Sequence, residues 1–148
     1  MRDRDGWALR AGFDQYLLLN RQGTSLRLSY NYEMSRNDGT DWEYNGHYVA
    51  LGVHTPLGEE INLDVDVGYT RRNYLHINSF AAAPLAVLTP ADRRARDDNR
   101  VVGSVILSRP LGPYLMLSAS FIRISNISNL NFFDYRRTMT TLALTARF

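Results

Sequence analysis

Apolar and polar residues alternate along most of this chain with a period of two, in seven runs separated by turn-forming clusters, which predicts strands joined as hairpins. The first run, Trp7 to Leu19, sets Trp7, Leu9, Ala11, Phe13, Leu17 and Leu19 against Arg10, Gly12, Asp14 and Tyr16. The second, Thr24 to Ser35, sets Leu26, Leu28, Tyr30, Tyr32 and Met34 against Arg27, Ser29, Asn31 and Glu33. In the third, Trp42 to Thr55, Val49, Leu51 and Val53 oppose Tyr44, Gly46, Tyr48, Ala50 and Gly52, and the facing stays open. The fourth, Ile61 to Tyr74, alternates Ile61, Leu63, Val65, Val67 and Tyr69 with Asn62, Asp64, Asp66, Gly68 and Thr70. Arg100 to Arg109, Tyr114 to Ser125 and Tyr135 to Phe148 complete the set.

The connections differ in kind. Asn20-Arg21-Gln22-Gly23, Pro56-Leu57-Gly58-Glu59 and Pro110-Leu111-Gly112-Pro113 are short turns, and they alternate with connections at 36–41, 75–98 and 126–134. The long loop 75–98 holds Thr89-Pro90, where a short helix could start and run through Arg96 with proline in its first turn. Short turns alternating with longer loops are the habit of bacterial membrane barrels. The chain is therefore expected to be one domain, 1–148, all-β, an antiparallel up-and-down meander forming part of a transmembrane β-barrel incomplete at its N-terminus. Seven strands alone would leave two open edges in lipid, so a whole of about 14 or 16 strands is expected.

Composition is compatible with that expectation. Nine Tyr, six Phe and two Trp favour strands, and charges interrupt every apolar run well short of the roughly 18 residues a spanning helix needs. Trp7, Tyr30, Tyr32, Trp42, Tyr69, Tyr74, Tyr114, Tyr135 and Phe148 lie near run ends. They could form girdles at headgroup level or reflect ordinary strand propensity. The formal net charge is +2, every basic residue is Arg, and no patch is basic enough to suggest nucleic acid as a partner. The start, Met1 to Gly6, has no apolar signal segment, so a chain bound for the outer membrane would need one upstream.

Ser128-Asn129, then Asp134-Tyr135-Arg136-Arg137 and a terminal strand ending in Phe148, resemble the C-terminal barrel of surface lipoprotein assembly modifiers and related porin-like barrels attached to tetratricopeptide repeats. Asp38-Gly39, Pro56-Leu57, Tyr74 and Arg96-Asp97-Asp98-Asn99-Arg100 fit the same pattern. The chain departs from it at Ala146, where a larger side chain is commoner, and shows no self-similarity at the roughly 34-residue period of such repeats. The resemblance implies a bacterial outer-membrane segment acting in export, translocation or surface assembly of envelope components. Its partners would be outer-membrane lipid, the barrel-assembly machinery engaging Leu142, Leu144 and Phe148, and a lipoprotein or polysaccharide cargo. The alternatives are a passive porin-like channel and a soluble β-sandwich or lipocalin-like binding module.

Candidate chemistry lies on the polar faces. Arg10, Asp14, Arg27, Glu33, Asp64, Asp66, Arg72, Arg137 and Arg147 would form a lumenal charge network that stiffens the interior or guides a solute. Ser128, Asn129, Asp134 and Tyr135 would fix the last loop through side-chain to backbone hydrogen bonds. Arg93, Arg94 and Arg96 could touch phosphates or simply be solvated beside Asp92, Asp97 and Asp98. His47, His54 and His76 lack metal-ligand spacing and there is no Cys, so no metal or other cofactor is expected. No nucleophile-elbow signature occurs, and enzymatic activity is not expected.

Overall fold

A computed structural model describes residues 5–58, 60–77, 79 and 94–146. They form seven antiparallel strands, β1 (Gly6–Leu18), β2 (Ser25–Asn37), β3 (Tyr44–Leu57), β4 (Ile61–Ile77), β5 (Ala95–Pro110), β6 (Leu115–Ser128) and β7 (Tyr135–Ala146). Each strand pairs with its neighbour in sequence, giving one sheet in the order β1 to β7. The short turns follow from local chemistry. Asn20 Oδ1 accepts the backbone N–H groups of Gln22 and Thr24 at 3.1 and 2.9 Å, and Gly23 at φ 97° takes the left-handed backbone that closes the turn.

Directly opposed residues share a face, so the register sorts the side chains. Leu26, Val53, Val65, Val105 and Phe121 form one apolar row across β2 to β6, and Leu28, Leu51 and Val67 lie in the next. Among the described residues no second layer covers this face: Phe13, Leu51, Val67, Leu107, Leu142 and Leu144 are all exposed, Leu142 to 75%. Among the described residues the buried apolar side chains are Ala50, Tyr74 and Leu130, on or beside the opposite, polar face. Cohesion therefore comes chiefly from the backbone ladders and cross-strand pairs rather than from a two-layer core.

The sheet is open: β1 and β7 are its edges and do not pair with each other. This corrects the expected barrel. A strand can cross hydrocarbon only when closure satisfies every backbone N–H and C=O, and an open edge leaves a row of them unsatisfied. The transmembrane-strand reading, the outer-membrane placement and the export or surface-assembly role all rested on closure, which the described strands do not supply. No described helix is long and apolar enough to cross a membrane either, which bears on helical spans alone.

Boundaries also move. β4 runs on to Ile77 past an irregularity after Asn73, and β5 begins at Ala95, so Arg96 belongs to a strand and not to the end of a helix. The proposed helix start at Thr89 and Pro90, like Arg93, Arg147 and Phe148, lies outside the described residues. β6 continues to Ser128, and a 3-10 turn over Asn131–Phe133 completes its connection to β7.

Candidate functional site

Two adjacent rows of the polar face run across the sheet and carry its densest polar chemistry. One reads Gly12, Asn31, Tyr48, Thr70, Arg100, Asn126 and Tyr135; the other reads Arg10, Glu33, Gly46, Arg72, Asp98 and Ser128. A two-residue repeat on six strands, held in this register, is what assembles them.

A cavity of about 220 Å³ opens where the rows cross β1 to β4, lined by Arg10, Asn31, Glu33, Tyr48, Thr70 and Arg72 with Gly46 beneath. Glu33 sits between two guanidinium groups, with Arg10 Nη2 at 3.3 Å from one carboxylate oxygen and Arg72 Nη2 at 3.7 Å from the other. Arg72 also lies 4.9 Å from the centre of the Tyr44 ring. Burial pushes the Tyr44 phenol up to about 12; Arg72 pulls it down, and its hydrogen bond and proximity to Glu33 reinforce the rise. The local balance is thus two positive charges against one negative, with hydroxyl and amide groups around them.

Glycines make the room. A Cβ at Gly12 would overlap the Asn31 carboxamide, and one at Gly68 would meet the Tyr48 ring at 3.0 Å, so these larger side chains lie across their neighbouring strands. Nearer the short turns, Gly52 does the same for an ion pair: Arg27 Nη2 donates to Asp66 Oδ1 at 2.6 Å above it. Burial opposes the charge on Arg27, but Asp66 and Tyr16 together hold the guanidinium pKa above its ordinary value. His54 Nδ1 lies 2.7 Å from Asp64 in the same region.

The longer-loop end of the face is closed by a cluster around Arg96. Its guanidinium lies 3.4 Å from the centre of the Phe133 ring and 4.5 Å from that of Tyr74, and it pairs with Asp98 through two hydrogen bonds. Tyr74 is buried against Tyr44, and burial raises its pKa, with Arg96 opposing. Ser128 N–H donates to Asp134 Oδ1 at 2.5 Å, and Leu130 N–H donates to Ser128 Oγ at 3.2 Å. Asn129 bridges to the start of β5, accepting from Asp97 N–H and donating to Ala95 O, both at 2.8 Å.

Of the charges read from sequence, the register brings together Arg10, Glu33 and Arg72, and separately Arg27 with Asp66 and Asp64 with His54. Asp14 instead accepts from Ser29 Oγ, and Arg137 faces the same side, opposite Ile124. Arg94 is exposed, and Asp97 pairs with Arg71 at 2.8 Å. Leu142 and Leu144 stand on the exposed apolar face, Tyr135 lines the polar one, and Tyr74 is buried on that polar side, so neither tyrosine belongs to an aromatic girdle. Asn31, Tyr48, Thr70, Arg100 and Asn126 were not singled out from sequence. Their signal was their position on polar faces beside small residues. No group of three or more metal-ligating side chains occurs among the described residues.

No family model, curated protein or solved structure matches this chain. The resemblance to assembly-modifier barrels is overturned by the open sheet.

Proposed function

We propose that this chain is a ligand-binding module acting without catalysis, and that its polar face holds a small polyhydroxylated molecule in the cavity between Arg10 and Arg72. The observation that carries this reading is the mixture of groups in that cavity: the Glu33 carboxylate accepts, the two guanidiniums donate, and Asn31, Tyr48 and Thr70 can do both. Alternating donors and acceptors match a run of hydroxyl groups, each of which needs one of each. Tyr48 adds an aromatic surface for C–H groups, and the open strand lattice keeps the donors in place, which limits the entropy lost on binding.

Titration calorimetry of the whole chain with glucose tests this. Saturable binding is expected, weakened about tenfold or more by Glu33→Gln or Asn31→Ala, as loss of one well-placed hydrogen bond to a charged or amide group implies. Absence of binding by glucose and by its acidic and polyol analogues would refute it.

A further inference from the structure

A second cavity, of about 60 Å³, adjoins the first along the same two rows and shares Thr70 and Arg72 with it; Arg96, Arg100, Asn126 and Tyr135 complete its polar lining, with Asp98. Three guanidiniums face one carboxylate. Arg96 and Asp98 neutralise each other, their side chains only 11% and 6% exposed, which leaves Arg72 and Arg100. Arg72 is held loosely, at 3.7 Å from a carboxylate it shares with Arg10. The Arg100 side chain makes no ion pair or hydrogen bond with any described residue. The Nε atoms of both Arg72 and Arg100 are buried without an acceptor.

Buried N–H groups on charged side chains are costly to leave unpaired, so the arrangement is completed by an acceptor that enters from outside. The volume restricts what that acceptor can be. At about 60 Å³ against about 220 Å³ for its neighbour, the space suits a compact group of a few heavy atoms. Asn126, Thr70 and Tyr135 supply neutral hydrogen-bonding partners around it.

We propose that this cavity is an anion subsite, and that the ligand's hydroxylated part in the larger cavity carries a carboxylate, or an oxyanion of similar size, seated between Arg72 and Arg100. The inference rests on the reading above and names its substrate class: acidic, polyhydroxylated molecules in place of neutral ones. Arginine suits the task because its planar fork meets a carboxylate with two parallel hydrogen bonds.

Glucose and glucuronic acid differ only in the group placed at this subsite, so calorimetry with both on the full chain is the test. Glucuronic acid is expected to bind about 10- to 100-fold more tightly, a charge-assisted contact's worth, with the advantage shrinking as salt is raised. Arg100→Gln should abolish the difference between the two sugars, and Arg100→Lys should keep part of it. Inorganic phosphate should compete with glucuronic acid on the unaltered chain, a readout that holds whether or not the variants fold. Equal affinity for the two sugars would overturn the subsite and leave the binding module standing. Failure of both to bind would overturn the module and the subsite together.

Discussion

Gly52→Ala adds one methyl group under an ion pair, and its effect can be worked out in advance. Gly52 lies in β3 directly between Arg27 on β2 and Asp66 on β4. The new Cβ would overlap the Asp66 carboxylate and stand 3.3 Å from Arg27 Nε, so the acid must swing away from a 2.6 Å contact. The two side chains are 37% and 33% exposed, which places the pair between a screened surface bridge and a charged hydrogen bond, about 1–2 kcal/mol. Replacing glycine inside a strand returns about 0.5–1 kcal/mol of backbone entropy. The net expectation is a loss of about 0.5–1 kcal/mol.

Gly103 on β5 provides the matched control, since a Cβ there meets nothing within 4 Å. Gly103→Ala should therefore stabilise by the entropic term alone, about 0.5–1 kcal/mol. Urea unfolding followed by circular dichroism, at equal slope, should thus move the two midpoints in opposite directions. In the Gly52→Ala background, Asp66→Asn should cost far less than in the parent chain, because the pair is already broken. If Gly52→Ala raises the midpoint as much as Gly103→Ala does, the reasoning from the ion pair is wrong.

Arg96→Ala strips the partner from the buried Asp98 and removes the stack on Phe133 and Tyr74, and should destabilise by about 3–5 kcal/mol in the same unfolding assay. Tyr44, with its pKa at about 12 in the folded chain, should ionise well above the ordinary tyrosine range when absorbance near 295 nm is followed. Because the folded state holds that proton more tightly, its stabilising contribution is complete below the ordinary tyrosine pKa of about 10 and is lost as pH rises through about 12. Leu51→Asp on the bare apolar face should lower binding of a hydrophobic dye such as ANS without altering the far-ultraviolet spectrum.

Strands were legible because a half-apolar strand shows its face in every second residue. β2 and β4 read this way throughout, and their polar members Arg27, Glu33 and Asp66 prove to share one side. Closure was not legible. A barrel wall and an open sheet carry the same alternation, and nothing in the period of β1 or β7 states whether the two meet. The start of β5 was hidden for a related reason: Arg96, Asp97 and Asp98 resemble a solvated loop, yet Asp97 pairs with Arg71 on one face and Asp98 with Arg96 on the other. In the site, Arg10, Glu33 and Arg72 announced themselves as charges. Tyr48, Asn31 and Arg100 did not, because their meaning lies in the register, which sets them in one row beside Gly12 and Thr70.

Backbone amide shifts recorded by NMR while glucuronic acid is added test the account at its centre, the assignment of ligand binding to the polar face. The predicted changes cluster at Glu33, Tyr48, Thr70, Arg72 and Arg100, in the two rows that line the cavities. Changes confined to Leu51, Val67, Leu107 and Leu142 on the apolar side, or none at saturating ligand, would contradict it.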